Sequence, residues 1–133
     1  MLKLEIVTPE RKVVDAEVDS VTVPTVSGEA GILPNHAPLI SAVKPGILTY
    51  AAKGASDSLA VSGGFVEVNA DKVAVLVDQA ERGDEIDDQV ARRERDDAEK
   101  AMASAGLSPA EETETIRETL EYASARLSLA AKK

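Results

Sequence analysis

Residues 73–88 read VAVLVDQAERGDEIDD, and the pattern of the sequence changes within this stretch. Valines recur up to Val77, and Val90 is the only valine that follows. After Gly83 the helix formers Ala, Glu, Arg and Lys dominate. Because β-branched side chains pack well on a pleated surface, the valine-rich part favours strands. The sequence therefore predicts two unlike bodies, a β-domain over residues 1–84 and a helical hairpin over residues 85–133.

Short apolar runs alternate with turn residues throughout the first part, which is typical of an all-β sandwich or barrel. Period-two alternation is clear in Val73, Val75 and Val77, so one face of each strand is expected to meet a core. The predicted strands span residues 2–7, 12–18, 21–26, 39–43, 47–52, 59–61, 65–68 and 73–77. Turn residues predict hairpin connections at residues 8–10, 27–28, 44–46, 53–54, 63–64 and 69–72.

The second part predicts two helices. Acidic residues from Asp84 to Asp88 suit a helix N-terminus, where the helix dipole is positive. Gly106 is a typical C-cap, and Ser108-Pro109 is a typical helix start. Helices joined by so short a turn must run antiparallel. Each helix is expected to bury one apolar stripe. The stripe of the first helix comprises Ile86, Val90, Ala91, Ala98, Ala101, Met102 and Ala105, and that of the second comprises Ile116, Leu120, Ala123, Leu127 and Ala130.

Alanine dominates these stripes, so the hairpin is expected to pack closely but to be weakly stabilised. Two outcomes stay open: the hairpin can leave the β-domain, or it can dock there permanently. Gly83 is the predicted hinge, because glycine tolerates large changes of backbone dihedral angles.

Composition excludes several functional classes. Acidic residues outnumber basic ones 24 to 15 and aromatic residues make up only 2%, so nucleic acid is not expected as a partner. The chain has no cysteine and one histidine, which leaves no basis for a transition-metal site. No apolar run approaches the roughly 20 residues that a membrane-spanning helix needs.

No catalytic constellation is evident. His36 lies between Asn35 and Ala37 without a nucleophile elbow, and it is read either as a satisfied loop residue or as an interface contact. Gly63-Gly64 falls between two predicted strands, which favours a tight turn over a phosphate loop. The chain is predicted to be no enzyme by itself and to hold no metal.

Two blocks of the sequence resemble one family. GEAGILPNHAPLI at residues 28–40, with PGIL at residues 45–48, resembles the signature of the epsilon subunit of bacterial and plastid F-type ATP synthases. VSGGFVEV at residues 61–68 and AER at residues 80–82 resemble the last β segments of that family. The resemblance implies a flattened antiparallel β-sandwich followed by an antiparallel two-helix hairpin, as the residue pattern also predicts.

The resemblance also implies a role. The chain would be a non-catalytic central-stalk subunit of a proton-translocating ATP synthase, peripheral on the cytoplasmic face of the bacterial inner membrane or, alternatively, at a plastid thylakoid. Its β-domain would bind the gamma subunit and rest on the membrane c-ring. In the family, a loop matching residues 27–33 and the following Pro-x-His turn face that ring. The implied interface residues are Ser27, Gly28, Glu29, Gly31, Ile32, Leu33 and His36.

In the family, the helices can extend along gamma into the alpha/beta catalytic hexamer and obstruct ATP hydrolysis. Arginines that would then meet acidic surfaces of that hexamer are Arg92, Arg93, Arg95, Arg117 and Arg126. Solvated charges on an exposed helix are the alternative interpretation of these residues.

Some family members bind ATP on the folded hairpin through an Ile/Leu-Asp-x-x-Arg-Ala motif. Residues 86–91 match it except that Val90 replaces the arginine, which removes a charge-assisted hydrogen bond of about 1.5 to 3 kcal/mol. No cofactor is therefore expected, although a nucleotide sensor and a generic coiled-coil adaptor stay as alternatives. The remaining nucleotide-binding candidates are Glu81, Ile86, Asp87, Ala91 and Arg126.

Overall fold

The computed structural model describes residues 1–105 and 110–130 and places ten strands before two helices. The strands are β1 Leu2–Val7, β2 Lys12–Val18, β3 Ser20–Thr25, β4 Gly28–Ile32, β5 Leu39–Val43, β6 Gly46–Ala52, β7 Ala55–Val61, β8 Gly64–Asn69, β9 Lys72–Val77 and β10 Ala80–Arg82. A 3-10 turn at Gly83–Glu85 leads into α1 Asp88–Ala105 and α2 Ala110–Ala130.

The strands form a flattened sandwich, as predicted, and neighbouring strands pair antiparallel except β1 and β9, which are parallel. They pair in the order β10-β7-β6-β3-β5-β8-β9-β1-β2, with β4 added to β3. β3 and β5 meet only at Thr25 opposite Val43, and the sheet folds over at this point. The first layer therefore contains β10, β7, β6, β3 and β4, and the second contains β5, β8, β9, β1 and β2.

The core lies between the two layers and is aliphatic. Every second residue points inward, as in Val73, Val75 and Val77 of β9. Burying one such side chain stabilises the fold by about 1.5 to 3 kcal/mol. The largest fully buried side chains are Leu2, Leu4, Ile6, Ile32, Leu48, Leu59, Val18, Val21, Val23, Val61, Val66 and Val68.

Two strands were not predicted. The prediction of a loop at residues 27–33 is wrong, because Gly28–Ile32 forms β4. This strand pairs with β3, with Gly28 opposite Thr25 at one end and Ile32 opposite Val21 at the other. Its two glycines carry no side chain, so the segment lacks the alternation that marks a strand. β10 is three residues long and pairs with β7, and it is too short to show a period.

Two of the predicted hairpin connections are also wrong. Residues 44–45 join β5 to β6 and residues 62–63 join β7 to β8, and neither of these strand pairs is hydrogen-bonded. Both segments instead carry the chain from one layer to the other. The other four connections are hairpins, and the φ angles of Gly28 at 113° and Gly54 at 80° fit the turns beside them.

Helix α1 begins later than predicted. The Oδ1 atom of Asp87 accepts the backbone N–H of Gln89 at 2.9 Å and of Val90 at 3.2 Å, so Asp87 is the N-cap. Asp84 and Glu85 lie in the 3-10 turn instead. The predicted cap at residue 106 and helix start at residues 108–109 lie outside the described residues.

The buried stripe of the helices is only partly as predicted. Ala91, Ala98, Ala123 and Ala130 are buried, but Val90 and Ala101 are exposed. Helix α2 packs against both α1 and the sandwich, so it also buries positions outside a single stripe. Those positions are Tyr122, Ala125, Arg126 and Leu129. Over the residues described, neither helix has the length and hydrophobicity to span a membrane.

Candidate functional site

The hairpin packs on the outside of the first layer, where α2 contacts β6, β7 and the 3-10 turn. Ala60 of β7 is fully buried by this contact. Because alanine methyl groups bury little area, the contact stabilises the docked hairpin less than a leucine-rich one would. We call this contact the hairpin seat: Ala60, Ile86, Ala91, Tyr122, Ala125, Leu129 and Ala130.

A charged cluster beside the seat joins three elements. The Nε atom of Arg126 on α2 lies 2.8 Å from Oε1 of Glu81 on β10, as an ion pair rather than a linear hydrogen bond. Nη1 of Arg126 donates to Oε2 of Glu94 on α1 at 2.8 Å. The hydroxyl of Tyr122 donates to Oε1 of Glu81 at 2.8 Å. We call these four residues the Arg126 cluster.

Arg126 is only 7% exposed, and it is the one buried charged group among the side chains that the structure describes. A buried charge is destabilising unless it is paired, and here two carboxylates face one guanidinium. The Tyr122 ring lies 5.6 Å from the guanidinium carbon and covers one side of it. The charge of Arg126 therefore faces both the Glu81 and the Glu94 carboxylates only while the hairpin is docked.

Burial raises the pKa of the Tyr122 hydroxyl above its ordinary value near 10, and the hydrogen bond to Glu81 raises it further. The neutral Tyr122 hydroxyl therefore contributes its full stabilisation of the docked hairpin below about pH 10. This contribution is lost as the pH rises above that value, because the hydroxyl ionises more readily when the hairpin is undocked. We expect alkaline titration of a Tyr50→Phe variant to show tyrosinate absorbance rising together with hairpin release. Tyr122→Phe should abolish this dependence, whereas ionisation of Tyr122 near pH 10 with the hairpin still docked would contradict it.

The segment that connects the sandwich to the hairpin is held by ion pairs on both sides of Gly83. On one side, the guanidinium of Arg82 forms an ion pair with Asp57 of β7. On the other side, Glu85 accepts the backbone N–H of Arg82 at 3.0 Å and pairs with Arg11 at 3.0 Å. The Arg82 N–H and then the Arg11 guanidinium hold the pKa of Glu85 below its usual value.

Gly83 itself is not forced to be glycine by the docked structure. Its φ is not positive, and an added Cβ would meet the Leu129 side chain at 3.5 Å, an ordinary contact. The predicted hinge at Gly83 therefore stays a prediction about motion.

The outer face of the second layer carries a row of apolar side chains. Phe65 of β8 lies opposite Ala42 of β5 on one side and Leu76 of β9 on the other. Leu76 lies opposite Val7 of β1. Val26, between β3 and β4 of the first layer, lies beside the same row, and its N–H donates to the Ala42 carbonyl. Phe65 is 61% exposed, Leu76 54% and Val26 66%. We call these five residues the outer apolar row.

Ile40, two residues before Ala42 on β5, extends the row and is 74% exposed. A cleft of about 840 Å³ runs between the row and the side of α2 that carries Glu114, Arg117 and Glu118. Exposed apolar side chains in one contiguous patch mark interaction surfaces. The row is therefore the strongest candidate interface on the sandwich.

Strand β4 separates the predicted interface residues. Ser27 and Gly28 lie at one end of it, and Leu33 and His36 follow the other end, roughly 13 Å away at about 3.3 Å per residue. Ile32 is 1% exposed and belongs to the core, so its side chain is not available to a partner. Glu29 and Gly31 are exposed along the strand.

Leu33 and His36 belong to a turn that is fixed to the β8–β9 hairpin. The Asn35 N–H donates to Oδ1 of Asp71 at 3.0 Å, and Nδ1 of His36 lies 2.6 Å from the Ala37 carbonyl oxygen. Leu33 is 62% exposed. We call residues 33–37 together with residues 70–72 the turn end of the sandwich.

The five nucleotide-binding candidates do not form one polar site. Glu81 and Arg126 meet in the Arg126 cluster. Asp87 caps α1, and Ile86 and Ala91 are buried in the hairpin seat. The arginine that meets Glu81 is thus already paired within the chain.

The arginines proposed for inhibition differ in exposure. Arg92 and Arg93 are exposed on α1, and Arg95 beside them pairs with acidic neighbours of its own helix. Arg117 is exposed on α2 and pairs with Glu114 at 3.2 Å. Arg126 is buried, so the docked hairpin withholds it from any partner.

Phe65 and Leu76 were missed as site residues, although the sequence contains a signal. Val66 and Val68 of β8 point into the core, so Phe65 has the opposite register and must point outward. Leu76 has the same relation to Val75 and Val77. For Glu94 no local signal exists, because its partner lies 32 residues away.

Comparison with known proteins supports this architecture. Residues 1–83 match the family described as "ATP synthase, Delta/Epsilon chain, beta-sandwich domain", so the sandwich is a domain of that class. The chain is 51% identical over 102 residues to the ATP synthase epsilon chain of Carboxydothermus hydrogenoformans, covering 77% of this chain and 76% of the relative. It is 43% identical over 132 residues to that of Geotalea uraniireducens, covering 98% and 94%. This chain belongs to the ATP synthase epsilon chain family.

Solved structures share the fold of this chain. A chain in the Euglena gracilis mitochondrial ATP synthase complex of OSCP, F1 and c-ring has a TM-score of 0.79 and 25% identity, covering 98% of this chain and 81% of that one. A chain from the Tetrahymena thermophila mitochondrial ATP synthase central stalk and c-ring has a TM-score of 0.59 and 15% identity. At this identity the similarity shows a shared fold and nothing more.

Proposed function

We propose that this chain is a non-catalytic central-stalk subunit of a bacterial proton-translocating ATP synthase, coupling the gamma subunit to the membrane c-ring. Family membership supports the proposal, and so does the similar chain solved within a complex that contains F1 and a c-ring. The observation in this chain that carries it is the exposed outer apolar row. Its position would be peripheral on the cytoplasmic face of the inner membrane, with a plastid thylakoid as the alternative.

The outer apolar row is the proposed seat of gamma. Its centre is apolar, and a polar rim lies on the same face, as is usual for protein interfaces. In that rim, Glu5 lies 3.9 Å from Lys3, 4.0 Å from Lys12 and 3.6 Å from Lys72. These partly exposed pairs contribute little free energy and serve to orient a partner.

The turn end is the proposed contact with the c-ring. It lies at the end of the second layer, whereas the outer apolar row lies on a face, so both surfaces are accessible at once. Leu33 and His36 belong to it, whereas Ser27 and Gly28 lie at the opposite end of β4. A subunit held on its face by the stalk and at its end by the ring would transmit torque between them.

The hairpin is the proposed inhibitor of ATP hydrolysis by the alpha/beta hexamer. Its docking on the sandwich rests on an alanine-rich seat, and Arg92, Arg93 and Arg117 are exposed on its surface. A hairpin that swings at Gly83 would carry these charges away from the sandwich and towards acidic surfaces of the catalytic subunits.

We expect the assembled complex to hydrolyse ATP several-fold faster when this chain is cut after Gly83 than when it is full length. Removing the helices removes the proposed obstruction and leaves the outer apolar row intact. Steady-state hydrolysis measures the effect, and co-elution with gamma at low and moderate salt confirms that both forms assemble. Equal rates in assembled complexes would show that the hairpin does not inhibit, and failure of the full chain to bind gamma would refute the stalk assignment.

A further inference from the structure

We propose that the Arg126 cluster is a latch that holds the hairpin on the sandwich without any bound ligand, with Glu94 filling the place beside Arg126 that an anionic ligand would need. The consequence for hydrolysis rests on the proposed function, but the latch itself is a property of the isolated chain.

The cluster exists only while the hairpin is docked. Glu81 is part of the sandwich edge, and it lies 45 residues from Arg126 in the sequence. Glu94 reaches the same guanidinium from α1, across 32 residues. One side chain thus ties both helices to the sandwich, and no movement of α2 away from β10 can keep the Glu81 contact.

Each nitrogen of the guanidinium already faces a carboxylate. Its Nε and Nη2 atoms face Glu81 at 2.8 and 3.4 Å, and its Nη1 atom is bonded to Glu94. Tyr122 covers one side of the group. An incoming phosphate would have to displace a carboxylate and would then be repelled by it. Charged neighbours in the adjoining groove include the acidic Glu10 and Asp78, with Arg11 as the further cation.

The latch matters because the apolar contact around it is small. Four of the seven residues in the hairpin seat are alanine. The Arg126 side chain is buried, whereas Glu81 is partly exposed and Glu94 is exposed at its outer side. Losing either carboxylate leaves the buried guanidinium with less compensation for its lost hydration, which is destabilising. Loss of Arg126 would leave the carboxylates of Glu81 and Glu94 near each other with no cation between them, so that they would repel each other across the docked contact.

The experiment uses the full chain and its natural lack of cysteine. A single cysteine is introduced as Ala60→Cys, which lies under the hairpin, or as Val66→Cys, which lies in the sandwich core. The rate of thiol modification then reports hairpin release at the first site and unfolding of the sandwich at the second. Ser56→Cys, on an exposed position of β7, gives the unprotected rate.

Arg126→Met is expected to raise the modification rate of the Ala60→Cys chain by on the order of 100-fold and to leave that of the Val66→Cys chain nearly unchanged. Arg126→Lys should give an intermediate rate, because an ammonium cannot bond both carboxylates in the same fork. Arg117→Met, an exposed arginine of the same helix, is the matched control and should change nothing. Equal acceleration at both cysteines, or none at Ala60→Cys, would overturn the latch.

Two further measurements separate the parts of the proposal. Glu94→Gln should accelerate modification of the Ala60→Cys chain in the normal background but should slow it beside Arg126→Met, since it then removes one of two carboxylates left without their cation. Millimolar ATP with magnesium should leave the rate of the otherwise unaltered chain unchanged. Slower modification with ATP would refute ligand-independent closure. Because no partner subunit is present, these results stand whether or not the hairpin inhibits hydrolysis.

Discussion

In the Gly64→Ala variant, the free energy of unfolding is expected to fall by about 3 kcal/mol or more, which is a large fraction of the stability of a typical domain. A Cβ at this position would overlap the backbone oxygen of Leu76 and lie 2.8 Å from Cα of Val77. Both atoms belong to β9, which is hydrogen-bonded to β8 here, so no side-chain rotation can relieve the contact. β8 and β9 must move apart at the centre of the second layer.

The neighbouring glycine supplies the matched control. A Cβ at Gly63 would lie 3.4 Å from the Val43 carbonyl oxygen and would meet no closer atom. Gly63→Ala is therefore expected to change the free energy of unfolding by less than about 1 kcal/mol. Thermal unfolding followed by circular dichroism measures both variants, with a loss of roughly 12 °C or more in Tm expected for Gly64→Ala. Similar Tm values for the two variants would show that β8 and β9 are not packed as closely as the structure places them.

Gly64 also shows how far the sequence predicted the fold. The apolar runs predicted β1, β2 and β5 with the bounds that the structure has. The pair Gly63-Gly64 predicted a tight turn, yet Gly64 begins β8 and is glycine because β9 passes too close for a side chain. Close approach between strands depends on tertiary packing, and a local pattern does not contain it.

The candidate site was less predictable than the fold. Glu81 and Arg126 were both named from the sequence, but as contacts for a nucleotide rather than for each other. Their pairing, and the role of Glu94, depends on how a hairpin packs across an edge strand too short to show a pattern. By contrast, Ile32 was taken as an interface residue, although its pairing opposite the buried Val21 of β3 places it in the core.

Phe65→Glu is expected to weaken binding of the gamma subunit by about 100-fold. Phe65 lies at the centre of the outer apolar row, with Ala42 and Leu76 on either side. Aromatic residues at the centre of an interface commonly contribute 2 kcal/mol or more to binding, about 30-fold in Kd, and a carboxylate placed there must also be desolvated. Isothermal titration of purified gamma into the full chain measures the effect.

The controls separate loss of the surface from loss of the fold. Phe65→Thr removes the aromatic ring and places a small residue that favours strands on β8, so it should weaken binding by about 10-fold or more without lowering the Tm. Val90→Glu introduces the same charge at an exposed apolar position of α1 and should leave gamma binding unchanged. Leu33→Glu, at the turn end, should also leave it unchanged while weakening attachment of the assembled stalk to the c-ring. If Phe65→Glu bound gamma as tightly as the unaltered chain, the outer apolar row would not be the gamma interface, and its exposed side chains would need another partner.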